Sequence, residues 1–190
     1  MVSASGSARK IDGLVRSAVR FDGERWLAYP ENSGEALVRG IELEAKFPLK
    51  AVFAKAPVID LRASVSCNWS QVDGVPGPDN RLDRQPRWSA NFGADYKSGK
   101  VGAGASLALV GGGDTRLSLT ESSFASPQRD LSAYALFKFD PKRQLRFSLL
   151  NVLASDDTLA SRYFDVAGSL ESRTYSDGYL GWRVQYEHKL

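Results

Sequence analysis

Two of the most chemically versatile residue types are almost missing from this chain, which has one cysteine, Cys67, and one histidine, His188, in 190 residues. A lone cysteine forms no internal disulfide, and together the two cannot supply the four nitrogen and sulfur ligands of a structural zinc site. His188 lies so near the last residue that a Ser-His-Asp or Cys-His arrangement would have to be assembled at a fraying end, so no enzyme is expected. No cofactor and no metal site are expected either. No apolar run approaches the ~18 residues of a spanning helix, which excludes a helical membrane protein. The net charge of +3 is spread without a basic block, so nucleic acid is not an expected partner. Gly102-x-Gly104 lacks a third glycine at the right offset and Gly111-Gly112-Gly113 has no helix after it, so neither is a phosphate cradle. Glu42 and Glu44 share a face as paired glycosidase carboxylates do, but a charged channel wall makes such pairs routinely. The opening MVSASGSARK has no apolar core of a signal peptide. Residues 1–10 therefore read as a disordered segment, and the chain as written is expected to stay in cytoplasmic aggregates.

Alternation is what the chain has in abundance. In PRWSANFGADYK at 86–97, Trp88, Ala90, Phe92, Ala94 and Tyr96 fall on one face of a strand, and Arg87, Ser89, Asn91, Gly93, Asp95 and Lys97 on the other. An apolar face opening with Trp and closing with Tyr fits a lipid-facing strand with an aromatic belt at each interface. From Val58 to Ser70 the alternation is cleaner still, with Ile59, Leu61, Ala63, Val65, Cys67 and Trp69 opposed to Asp60, Arg62, Ser64, Ser66, Asn68 and Ser70. Its thirteen residues exceed the ~5–6 of a soluble strand and suit the ~9–11 that a tilted membrane strand needs. Val101, Ala103, Ala105, Leu107 and Leu109 continue the outward face on the next strand. Further strands are expected over Ile11–Phe21, Leu37–Phe47, Leu131–Phe139, Gln144–Leu153 and the terminal GYLGWRVQYEHKL, with a short extra one near Trp26.

Loop lengths extend the pattern. After Ser70 the connections run long, short, long, short and long, as an outer-membrane barrel distributes extracellular loops and periplasmic turns. The third long loop is ASDDTLASRYFDVAGSLES. Trp69 and Trp88, on either side of the first long loop, are expected at one height. The fold expected is all-β: a segment of an antiparallel transmembrane β-barrel, a meander of about eight strands forming an open curved sheet when isolated.

NSGEALVRGIELEAKF at 32–47, QPRWSANFGADY at 85–96, LRFSLLNVLASDD at 145–157 and the terminal LGWRVQYEHKL together resemble the C-terminal part of TonB-dependent outer-membrane receptors. The resemblance covers nearly the whole chain, in family order, and marks 11–190 as the C-terminal part of such a barrel. It implies a share of a barrel of about 22 strands filled by a plug, working in the outer membrane on a scarce ligand such as an iron-siderophore. The implied partners are outer-membrane lipid and a small molecule such as a metal chelate, with TonB engaged only through a plug that this sequence does not contain. Leu190 departs from the aromatic residue that usually ends the family. The lumen-facing binding candidates, by facing, are Arg62, Asn68, Asn91, Asp95, Arg183 and Glu187. Two other readings stay open: a complete eight-stranded barrel with a structural or adhesive role, and a soluble lipocalin-like ligand binder whose apolar faces turn inward.

Overall fold

Residues of alternating polarity extend into strands because a period of two puts each kind of side chain on one side of a pleated backbone. The computed structural model describes residues 1–166 and 168–189, and over these the chain is almost entirely extended. Along the sequence the strands are β1 (Val2–Ile11), β2 (Val15–Phe21), β3 (Trp26–Asn32), β4 (Ala36–Pro48), β5 (Ile59–Val72), β6 (Trp88–Ser98) and β7 (Val101–Val110). They continue as β8 (Gly113–Arg116), β9 (Glu121–Ala125), β10 (Gln128–Lys138), β11 (Arg143–Leu150), β12 (Asp157–Asp165), β13 (Gly168–Ser176) and β14 (Gly181–His188). One 3₁₀ turn, Leu49–Ala51, follows β4.

Eight of these strands form an antiparallel sheet in the order β1-β4-β5-β6-β7-β10-β11-β14. It is an up-and-down meander, open and curved, and among the described residues β1 and β14 are not paired with each other. The other strands are inserts. The hairpin β2-β3 lies between β1 and β4, and β8, β9, β12 and β13 join into a four-stranded sheet fed by the β7–β10 and β11–β14 connections. All the inserts leave the meander at one end. The opposite end has tight connections, such as the turn at Gly99 with φ 55°, a left-handed backbone that suits glycine. Asp140 makes another, its Oδ1 accepting the backbone N–H groups of Lys142 and Arg143 at 2.9 Å each.

Four expectations need correcting. Residues 2–11 are not disordered but form β1, paired with β4 from Val2 opposite Ala45 to Ile11 opposite Ala36. Serines, alanines and a glycine give that stretch little contrast between faces, so it takes its strand from its neighbour's unpaired edge and not from its own propensity. The strand expected over Ile11–Phe21 is in fact the end of β1, a turn with Gly13 at φ 69°, and β2, which belongs to a hairpin outside the main sheet. The third long loop is the hairpin β12-β13, whose alternation is too short and polar to be read in sequence. The two tryptophans also differ in level, because Trp88 stands opposite Cys67, one side-chain repeat short of Trp69. Leu190 lies outside the described residues.

Among the described residues, the main sheet carries no second layer on either face. On one side Ile41 is 52% exposed, Leu43 54%, Trp69 53% and Val184 55%, so removal of apolar surface from water is not what holds the sheet together. Compact packing is confined to the insert end, where Ala36, Val72 and Val75 are buried against Ile11, Leu14 and Leu82. There Arg16 donates to the carbonyl oxygens of Leu117 and Arg81, tying β2 to the loops beneath it. Trp26 of β3 packs edge-on against Tyr163 of β12, ring centroids 4.5 Å apart, and this joins the hairpin to the four-stranded sheet.

Glu121 of β9 is 9% exposed in this insert layer. Burial pushes its carboxyl above the ordinary range, a backbone hydrogen bond from Val19 opposes this, and the charge of Glu31 adds to it. A carboxyl raised on folding contributes stability that is present below its unfolded pKa and lost as pH rises through the folded value. Glu121→Gln should therefore slow amide hydrogen exchange in β2 and β9 at neutral pH and flatten its dependence on pH in the mildly acidic range. Unchanged protection in the variant at neutral pH would count against the burial penalty.

Candidate functional site

Register determines what each face of the meander offers. Across β5, β6, β7, β10, β11 and β14, Leu61, Ala94, Ala105, Ala133, Leu149 and Trp182 stand directly opposite one another in turn. The neighbouring row on the other face runs Asp60, Asp95, Gly104, Tyr134, Ser148 and Arg183. One row is thus apolar and the other almost wholly polar across six of the eight strands of the sheet, with charged side chains on the apolar face at its ends.

At the middle of the polar face, four long side chains are joined. Arg62 Nη1 lies 2.8 Å from Asp95 Oδ2, the Tyr134 hydroxyl donates to Asp95 Oδ1 at 2.6 Å, and the Arg146 guanidinium sits 4.1 Å above the Tyr134 ring. Charge-assisted bonds and a cation–π contact of this kind hold side chains in place on an open wall. They can do so because glycines lie beneath them. A Cβ at Gly104 would fall 2.5 Å from Tyr134 Cε1 and 2.7 Å from Asp95 Oδ1, and one at Gly93 would fall 2.4 Å from Arg62 Nε. The ring of Tyr134 crosses strand β7 through the gap that Gly104 leaves.

The six residues expected to line a lumen all belong to polar-face positions, but they are not one cluster. Arg62 and Asp95 form the ion pair above. Asn91 donates to the Ser64 hydroxyl at 3.4 Å one repeat away, and with Glu44, Lys46, Arg62 and Ser106 lines a trough of about 350 Å³. Asn68 is at the insert end, its Nδ2 donating to the Pro86 carbonyl at 3.2 Å and its own carbonyl accepting from Arg81 Nη2 at 2.8 Å. Glu187 accepts from Gln144 and, at 2.8 Å, from Gln185 near the tight-turn end. Arg183 faces Ser148 at the far edge, four strands from β6. Sequence reading missed Tyr134 and Arg146. The available signal was phase: Tyr134 breaks the apolar set Leu131, Ala133, Ala135 and Phe137 by one residue, placing the aromatic on the polar side.

A second cavity of about 380 Å³ lies at the insert end between the 81–87 loop, Gly111–Thr115 and the strands β9 and β12. Arg81, Asp83, Arg87 and Asp114 give it mixed charge. Burial lowers the pKa of Arg81, the neighbouring Arg87 lowers it further and Asp79 opposes both. Asp79 is meanwhile the ion-pair partner of Arg87. Among the described residues no group of three or more His, Cys, Asp or Glu side chains is gathered as a metal site.

A family model described as TonB dependent receptor-like, beta-barrel matches residues 5–153, from within β1 to just beyond β11. No curated protein and no solved structure matches the chain.

The glycine gap makes a paired prediction. Gly104→Ala drives a methyl group into Tyr134 and Asp95 and is expected to destabilise the folded sheet by about 1–3 kcal/mol, as overpacking does. Gly102→Ala, whose added Cβ meets Leu136 at an ordinary 3.6 Å, should be near neutral. Denaturant unfolding in detergent compares the two, and equal stability would remove the bridging role assigned to Gly104.

Proposed function

The chain belongs to the TonB-dependent receptor-like β-barrel family, and on that premise we propose that it supplies one wall of an outer-membrane receptor for uptake of a scarce small molecule, an iron-siderophore or a similar metal chelate. The observation that carries the proposal is the sorting of two faces through all seven pairings of the meander. A membrane demands that backbone groups be paired within the sheet and that one face be apolar, and a solute path demands a polar one opposite. Outer-membrane lipid is then the partner of the Leu43, Val65, Phe92 and Leu107 side. The polar side faces the lumen, where Arg62, Asn68, Asn91, Asp95, Arg183 and Glu187 offer donors and acceptors of both charges to a passing ligand. TonB acts in this scheme through a plug and not through these strands.

The open edges favour a share of a wide wall over a complete small barrel, since among the described residues β1 and β14 each leave one side of the backbone unpaired within the meander. A lipocalin-like binder would need Trp69, Phe92 and Trp182 enclosed, and all three are exposed.

Radio-iron uptake from a panel of ferric chelates, by cells carrying the gene and by cells lacking it, tests the proposal. Asn91→Trp places a large ring in the trough and is expected to cut uptake of the transported chelate roughly tenfold, the effect of ~1.4 kcal/mol. Phe92→Trp, on the opposite face, should leave uptake and the amount of membrane-inserted protein unchanged. Gene-independent uptake of every chelate, or sensitivity to Phe92→Trp alone, would overturn it.

A further inference from the structure

Of the chain's lysines only Lys10 lies at the insert end; the rest gather at the tight-turn end, all of them exposed. Lys10 pairs with Glu35 at 2.7 Å and Asp12 at 3.4 Å, whereas none of the others makes an ion pair among the described residues. Their arrangement is unfavourable in three places. Lys46 stands opposite Arg62, the Lys138 N–H donates to the Lys100 carbonyl at 2.8 Å, and the Lys189 N–H donates to the Lys142 carbonyl at 2.8 Å. Each contact sets two cations side by side on neighbouring strands, which destabilises a sheet unless an anion lies between them. Where the wall opposes two carboxylates, Asp60 and Asp95, it provides the counter-charge itself through Arg62. The lysines receive none, because Asp140 is engaged by Arg143 and Glu187 accepts from Gln144 and Gln185.

These cations belong to the polar face. Lys97 stands opposite Gly102 and Lys138 opposite Gln144, in rows that continue to Arg146 and to Glu187. Nearer the insert end the same face reverses sign: the row through Glu42 and the row through Glu44, Asn91 and Asp130 hold carboxylates and no cation. The basic band runs from Lys46 on β4 to Lys189 beside β14, six strand spacings along the sheet, or roughly 29 Å at ~4.8 Å each. A small-molecule site of ~300–1,000 Å³ is only about 7–10 Å across, so one chelate leaves most of the band uncovered. An extended polypeptide covers it with about nine residues at ~3.3 Å each.

We propose that this band seats an extended acidic segment of a partner polypeptide, laid across the tight-turn mouth of the wall with its carboxylates between the opposed lysines. The sign reversal fixes its level, since Glu42, Glu44 and Asp130 repel the same segment farther up the wall. Ammonium groups on flexible stems suit such a partner, because they act as point charges and do not demand one planar geometry. The proposal rests on the polar face lining a lumen, and it goes beyond that by giving the tight-turn end of that lumen a protein partner of stated charge.

Fluorescence anisotropy of the full chain, folded in an uncharged detergent, tests it with fluorescein-labelled peptides of about ten residues, one alternating Glu with Ser and one alternating Gln with Ser, and with citrate as a competitor. The Glu peptide is expected to bind roughly tenfold more tightly than the Gln peptide, a difference of ~1.4 kcal/mol, and to be released by salt. Lys97→Gln, Lys100→Gln and Lys138→Gln combined should abolish that preference, and Arg84→Gln, in an exposed loop at the insert end, should leave it unchanged. Lys100→Glu should act in opposite directions on two readouts, raising the thermal unfolding midpoint of the free chain by placing an anion opposite Lys138 and weakening the Glu peptide. Equal binding of the two peptides, a preference that survives the combined substitution, a midpoint that Lys100→Glu leaves unmoved, or displacement of the Glu peptide by equimolar citrate would each overturn the seat. Insertion of the chain into pure phosphatidylcholine bilayers, measured in parallel, reports on the membrane assignment separately: insertion without peptide preference removes the seat and leaves the wall intact, and failure to insert removes both.

Discussion

A one-residue slip at any of the seven pairings of the meander would move every apolar side chain of one strand onto the polar face of the next. The observed registers contain no such slip, and this constraint underlies everything else in the molecule. It lets Ile41, Cys67 and Trp88 stand in one line on one side while Glu42, Ser66 and Ser89 stand in another on the opposite side. Among the described residues, neither face has a protein layer against it. The sheet depends on its backbone ladder and on two different solvents, hydrocarbon for one side and water for the other.

The same constraint explains the inner network. Directly opposed residues on a shared face are close, and the strands on either side of β7 are ordinarily too far apart for side chains to meet. Tyr134 reaches Asp95 across β7 because the residue between them is Gly104, and Arg62 lies flat because the residue opposite is Gly93. Small residues on the inner face, which in a narrow closed barrel would leave voids, here are the floor on which long polar side chains rest. An ion pair whose arginine is largely exposed, such as Arg62–Asp95, contributes little stability by itself, about 0–1 kcal/mol. Its significance is positional, since it holds charges of both signs at defined points on the wall.

Much of this was legible in the residues. Strands β5, β6 and β7 could be read because large apolar side chains alternate there with Asp, Arg, Asn or Gly, and the assignment of Leu61, Phe92 and Leu107 to one face follows directly from that contrast. β1 could not, because Ser, Ala and Gly make its two faces nearly alike and its existence depends on β4. The inserts were hidden for a different reason: β8, β9, β12 and β13 are stabilised by pairing among themselves, a long-range event that local polarity does not encode. For the polar face, facing was readable and contact was not. Sequence spacing puts Arg62 and Asp95 on one side of the sheet, but only the register shows that Arg62 stands opposite Gly93 and that Tyr134 and Asp95 share a row.

The central claim is that the polarity period of the strands is a boundary between lipid and water. Nitroxide labels placed singly from Trp88 through Ser98, in a Cys67→Ser background in lipid bilayers, report it through collision with oxygen, which partitions into hydrocarbon, and with a nickel chelate, which stays in water. The account predicts that the two accessibilities oscillate with a period of two and in opposite phase, oxygen high at positions 90, 92 and 94 and the chelate high at 89, 91 and 93. Accessibility without alternation, or alternation with the phases exchanged, would contradict it.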